Sequence, residues 1–225
     1  SSRIAGFSQY VDNNSKTEPI YSSSKNRAEH HFVGSTEDSA TVRNNPEARS
    51  RVEDAFGSYG RKESGSVYRL GDALHGFADT FSHEGFTSWH SDTINTRTGS
   101  ARPNTGHADA GEGGHAPDRP YNDVDKAIAA AMAIYDLTPG APGSEKQQRS
   151  WADVEKSLRA GFSYDPKEKD ADKSEAKRAD NMSNIIKKDF GDDAKYNEKD
   201  FAKESAQFEA AMKQQEEERK RREQK

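Results

Sequence analysis

The sequence predicts an all-α fold with long glycine-rich loops and a charged helical extension toward its C-terminal end. Apolar residues recur at helical spacing in several segments, and no alternating strand pattern runs longer than about four residues. A turn-rich break, Thr138-Pro139-Gly140-Ala141-Pro142-Gly143, separates a first part holding all seven histidines from a second part holding none. Charge divides at the same place. Residues 144–225 carry 20 acidic and 20 basic groups, so the net charge of −5 belongs to the first part. Two regions are therefore expected: 1–140, which carries the chemistry, and 141–225, a charged helical region.

A short helix is expected over 48–56. The clearest helix runs over 67–83, where Val67, Leu70, Leu74, Phe77 and Phe81 recur at intervals of 3, 4, 3 and 4 residues. The stretch 87–121 reads as irregular. Its His107, Asp109, His115 and Asp118 stand among glycines, which points to a functional loop rather than a passive one. Another helix is expected over 123–137, with Ile128, Met132 and Tyr135 inward. Beyond the break, helical stripes are thin: Trp151, Val154, Leu158 and Phe162; then Ile185, Ile186 and Phe190; then Phe201, Ser205, Phe208 and Met212. The segment 214–225 is expected to fray or extend as a free charged helix, and 165–180 is similarly polar.

Composition removes several function classes. Hydrophobic residues are 30% and charged residues 32% of the chain, which implies a modest core and a large solvated surface. No apolar run approaches the ~20 residues of a membrane-spanning helix. The absence of cysteine excludes disulfides, thiolate metal sites and a cysteine nucleophile. The acidic balance gives no support to nucleic-acid binding driven by phosphate neutralisation.

Chemistry concentrates on the helix over 67–83. His75, Asp79 and His83 are spaced i, i+4, i+8 and so span roughly 80° of one face, nearly opposite the apolar stripe. Two imidazoles and a carboxylate on one face are how a helix offers several ligands to one metal. The His/Asp mixture suits zinc better than calcium. A solvated face carrying two histidines by chance is the plainer alternative. One helix rarely supplies four ligands, so partners are sought elsewhere: Asp12, His31, and His107 with Asp118. Taken alone, Asp12 reads as a turn residue or helix cap, and His90 and His115 as exposed loop histidines. Asp72 shares the face of His75 and is placed to orient its second ring nitrogen, or is simply exposed.

The run Leu70-Gly71-Asp72-Ala73-Leu74-His75, followed by Asp79, His83 and Phe86-Thr87, resembles the central helix of the zinc-dependent phospholipase C family. The related single-strand-specific zinc nucleases share that arrangement. Asp12, His31-Phe32, His75-x-x-x-Asp79, His83 and His107 follow the order of that superfamily's ligands, and Phe32 selects His31 over His30. The resemblance covers roughly 7–137. His83 stands four residues after Asp79 where the family's histidine usually stands six. Gly111 occupies the fourth position after His107, so the accompanying carboxylate is Asp118, Asp109 or Glu112.

The resemblance implies a metal-dependent hydrolase core over 1–140 with metal ligands Asp12, His31, His75, Asp79, His83, His107 and Asp118. It also implies zinc as cofactor: two ions, with one or three as alternatives. Asp79 then matches the family's bridging carboxylate, and Asp12 is both a ligand and a base for water. The expected activity is hydrolysis of phosphoester bonds, phospholipase C-like, on membrane phospholipid or another phosphodiester. Phe81, Phe86 and Trp89 are candidates for receiving acyl chains or a membrane-surface contact, the plainer reading being that Phe81 is core and Phe86 packs under the loop. Arg119 or Arg102 are candidates for a phosphate contact, with ordinary loop residues the default. Nucleic acid is the less favoured substrate. A start at Ser1-Ser2-Arg3 without Met fits a toxin domain cleaved from a larger secreted bacterial effector and delivered into a target cell. An immunity protein is then the expected partner. The alternatives are a metal-dependent nuclease toxin and a non-catalytic domain with a structural metal.

Overall fold

A computed structural model describes residues 2–14, 17–19, 23–36, 39–88, 115–138, 149–191 and 205–206. His90, Trp89, Arg102, His107, Asp109, Glu112 and the stripe of Phe201, Phe208 and Met212 lie outside the described residues. The described part is all-α, with no strand. It comprises α1 (Ser2–Asn13), α2 (Ser24–His30), α3 (Pro46–Gly60), α4 (Ser66–Ser82), α5 (Val124–Leu137), α6 (Trp151–Phe162) and α7 (Ala171–Phe190), with a 3-10 turn at Ala116–Asp118. Among the described residues no helix is long and apolar enough to cross a membrane.

Helix α4 is central because it is apolar on one side and small on the other. Leu70, Phe77 and Phe81 are buried. Phe77 and Phe81 join Val33, Ala48, Val52 and Leu137 in the core. Deleting such a side chain costs about 3–5 kcal/mol. Helix α3 is longer than its sequence stripe suggested. The Asn45 side chain caps it, accepting from the Glu47 and Ala48 amides at 2.8 and 3.3 Å, and Pro46 opens the first turn. Helices α3 and α5 pack on the apolar side of α4, while α6 follows α5 and α7 follows α6.

The other side of α4 carries two glycines in mid-helix, where glycine is unfavourable by about 1 kcal/mol relative to alanine. Each lets another backbone come close. A Cβ at Gly71 would stand 2.7 Å from the Phe7 Cβ and 2.9 Å from the Ser8 nitrogen, so α1 crosses there. A Cβ at Gly76 would stand 3.0 Å from the His30 carbonyl oxygen, so the end of α2 crosses one and a half turns later. Neither α1 nor α2 is announced by a strong apolar period. Phe7 and Val11 bury one edge of α1, and the Ser23 side chain caps α2 by accepting from the Asn26 amide at 3.2 Å.

Within the polar segment 165–180, residues from Ala171 onward are helical in α7, which packs on α6. Asp170 caps the helix through the Lys173 amide at 3.0 Å, and the Arg178 guanidinium lies over the Tyr121 ring.

Candidate metal centre

The two glycines on α4 bracket His75, so the helices crossing at them deliver ligands to either side of it. On α1, burial of Val11 turns the next residue, Asp12, to the flank facing α2. At the end of α2 the chain curls back, with the His31 and Phe32 amides both donating to the Arg27 carbonyl at 2.8 Å. That curl drives His31 inward, where its side chain is 2% exposed. His75 and Asp79 meet it from α4. His83, the residue that ends α4, donates its amide to the Asp79 carbonyl at 2.7 Å.

Two groups of donors result. Asp12, His31 and His75 each bring one ligand atom within 4.8 Å of the others, and so do Asp79, His83 and Asp118. Asp79 also reaches into the first group. Its Oδ2 is 3.1 Å from His75 Nε2 and 3.3 Å from His31 Nδ1. His75 Nε2 is 3.1 Å from His31 Nδ1. Asp12 Oδ1 is 3.4 Å from His75 Nε2 and 3.7 Å from His31 Nδ1. The edge of a tetrahedron of nitrogen and oxygen ligands around zinc is about 3.3 Å. These five separations scatter around that edge, so Asp79 stands at ligand spacing from both histidines of the first triad.

Backbone carbonyls fix which ring nitrogen His31 and His83 offer. A carbonyl can only accept, so His31 Nε2–H donates to the Thr17 oxygen at 2.8 Å and Nδ1 turns its lone pair inward. His83 Nδ1–H likewise donates to the His31 carbonyl at 2.7 Å, leaving Nε2 to face Asp118 Oδ1 at 2.8 Å. Carbonyl partners of this kind commonly set the tautomer of ligating histidines. Thr17 is itself held by its hydroxyl, which donates to the Val11 carbonyl at 2.7 Å and so ties the end of α1 to the site. The Phe32 ring stacks on His83, with centroids 4.4 Å apart and planes 22° from parallel.

The centre is buried at its imidazoles and at Asp79 and open at Asp12 and Asp118. His31 and His83 side chains are 2% and 4% exposed, whereas Asp12 and Asp118 are 37% and 40% exposed. Three carboxylates converge, and protons answer them. Burial works against charging His75, but Asp79, then Asp12 and Asp72, outweigh it and push its pKa up to about 9. His83 is raised against the same burial, chiefly by Asp79 and Asp118. Burial acts to raise the Asp79 carboxyl, yet His75 and His83 hold it well below the usual carboxylate range. Asp12 is raised, first by burial and further by Asp79 and Asp118, against the pull of His75 and His31.

The expected ligands Asp12, His31, His75, Asp79, His83 and Asp118 are thus brought together, and His107 lies outside the described residues. His31, not His30, enters the centre. His30 Nδ1 instead meets Asp72 Oδ1 at 2.8 Å, so the carboxylate expected to orient the His75 ring is engaged by a different histidine. His115 is exposed, as expected for a loop histidine. Phe81 is core, 4% exposed, and so offers nothing to a membrane or an acyl chain. Arg119 lies 5.9 Å from the Tyr121 ring centroid. The sequence reading missed Thr17 and the roles of Gly71 and Gly76. The glycines carried a signal, since two of them inside an amphipathic helix mark close backbone approach; Thr17 carried none.

Fold and site together define an all-helical protein with a paired His/Asp centre, two candidate metal-binding triads linked through Asp79. The chain belongs to a family of unknown function (DUF6765), whose model matches residues 21–225. Asp12 and the rest of α1 precede the matched segment, and the other five described ligands fall inside it. No curated protein and no solved structure matches the chain.

Proposed function

We propose that the centre binds two divalent ions, zinc being the expected one, and that the chain is a metal-dependent phosphoester hydrolase of phospholipase C type. The observation that carries this reading is the shared Asp79. On one side it can complete a set of four donors with Asp12, His31 and His75; on the other it joins His83 and Asp118, a set of three. Structural zinc sites are closed by four protein ligands, whereas catalytic ones keep a position open. Imidazole with carboxylate suits zinc among the common divalent ions. A bound pair of such ions supplies positive charge to a phosphoryl oxygen and lowers the pKa of water.

The chain's own groups do the rest. The Thr17 and His31 carbonyls hold the ligating rings in one tautomer. Phe32, stacked on His83, keeps water from that ring's buried face. Asp12 Oδ, at the opening and raised in pKa by burial, is the atom placed to take a proton from an attacking water. Support for a phospholipid substrate comes from the motif order around His31, His75, Asp79 and His83. Delivery as the toxin domain of a larger bacterial effector, with an immunity protein as partner, belongs to the same proposal. A second reading has its own observation: the four-donor set alone is what a structural metal needs.

Elemental analysis of protein purified without chelator, paired with hydrolysis of bis-p-nitrophenyl phosphate, phosphatidylcholine vesicles and single-stranded DNA, tests the proposal. Two zinc equivalents and cleavage of phosphatidylcholine, abolished in His75→Ala, are expected. Cleavage of DNA alone transfers the assignment to a nuclease. A chelated protein that unfolds, with no cleavage in the loaded form, assigns the metal a structural role. Absence of a stoichiometric metal sinks the proposal. Expression in bacteria of the wild type and Asp79→Ala tests toxicity, and equal growth removes the toxin assignment.

A further inference from the structure

The turn that bears Asp118 packs against α4 from the surface. None of the residues Ala116–Asp118 is buried. Its internal bonds close the turn without fixing its place: the Asp118 amide donates to the His115 carbonyl at 3.1 Å, the Asn122 amide to the Arg119 carbonyl at 3.0 Å, and the Asn122 side chain to the Ala116 carbonyl at 3.1 Å. Something outside the turn adds to its placement as well.

That something is α7. The Arg178 guanidinium lies over the Tyr121 ring, 3.7 Å from its centroid, and its Nη1 donates to the Tyr164 carbonyl. Such a contact joins charge to an aromatic face and is stronger where water is excluded. Arg178 is rigidly based. The Ser157 hydroxyl donates to Asp189 Oδ2 at 2.5 Å, and a Cβ at Gly161 would stand 2.3 Å from the Met182 Cε, so α6 and α7 are in close contact. On the other flank of the turn, Arg159 of α6 pairs with Asp125 at the start of α5 at 2.7 Å.

We infer that Arg178, acting through Tyr121, is a positioning residue for Asp118, so that the charged C-terminal helices set the affinity of the open donor set. The inference rests on the proposed two-ion reading for its effect on metal, but not for its effect on the turn. It assigns 151–190 a task in the centre, although no residue of α6 or α7 is a ligand.

The test uses the full chain with Arg178→Ala, Arg178→Lys and Tyr121→Leu, titrated with zinc by calorimetry. In parallel, amide hydrogen exchange is measured on the metal-free protein. The weaker of two zinc affinities is expected to fall at least tenfold in Arg178→Ala and Tyr121→Leu. Arg178→Lys, which keeps a cation over the ring, is expected to recover part of it. The tighter affinity is expected to hold. Exchange at the Asp118 and Asn122 amides should quicken at least tenfold while that of Leu70 and Phe77 stays put. Unchanged exchange at Asp118 overturns the inference. So does a loss of both affinities together with faster exchange in α4, which makes Arg178 merely structural. Quickened exchange at the turn in a chain that binds no zinc upholds the positioning role and removes the two-ion reading instead.

Discussion

Asp12, His31 and His75 meet from three helices whose backbones touch at Gly71 and Gly76, whereas Asp118 reaches His83 from a short turn in which nothing is buried. The first set is fixed by steric contact, which tolerates little displacement. In the second, Asp79 and His83 are held by α4, the His31 carbonyl and the Phe32 ring, and Asp118 alone comes from a turn. A centre built this way seats its helix-borne ligands firmly and leaves Asp118 the donor carried by a turn.

The largest break in that contrast is expected at Asp79, which belongs to both sides. Asp79→Asn should weaken both zinc equivalents by on the order of a hundredfold or more. Metal analysis after dialysis reads this, and retention of both ions would refute a shared role. Gly71→Leu comes next. Its side chain cannot coexist with Phe7 at the present crossing, so about 1–3 kcal/mol of stability is expected to be lost. The tighter zinc affinity should fall while the weaker persists, as seen by thermal melts and titration. If the weaker one falls first, α1 does not supply the firm set.

Asp118→Asn should act on the open side alone. The position is 40% exposed, so stability should move within about 0.5 kcal/mol. One zinc equivalent and the hydrolytic activity should be lost together.

The subtlest difference lies in pH. The pKa of His75 is raised from 6.5 to about 9 in the folded chain. Its protonation therefore stabilises the metal-free fold fully below pH 6.5, and that contribution is lost as pH rises through about 9. Melting temperatures in chelator should decline across that window, and those of the zinc-loaded chain should not, because the ion replaces the proton. A flat chelator curve would show that His75 does not gain a proton on folding.

The parts of this architecture legible in the sequence are those governed by local period. Helix α4 declared itself through Leu70, Phe77 and Phe81, and with it the common face of His75, Asp79 and His83. Helix α5 declared itself through Ile128, but Met132, expected to face inward, is exposed. Helices α1 and α2 did not, because their stability comes from lying against α4 and not from a broad apolar stripe of their own. Segment 165–180 read as polar and loose since the contact that docks α7, Arg178 on Tyr121, joins residues far apart in sequence. Within the centre, residue types and their order revealed which side chains could ligate. Tautomer, and the diversion of Asp72 to His30, depend on carbonyls and rings that only the folded chain brings near.

His31 serves both compartments with different atoms. Its ring belongs to the firm set, while its main-chain oxygen accepts from His83 and orients that ring toward Asp118. An ion gripping the His31 imidazole therefore also immobilises the acceptor on which the neighbouring histidine depends. Occupancy is expected to be sequential and positively cooperative: the inner cation enters first, and its arrival readies the outer seat.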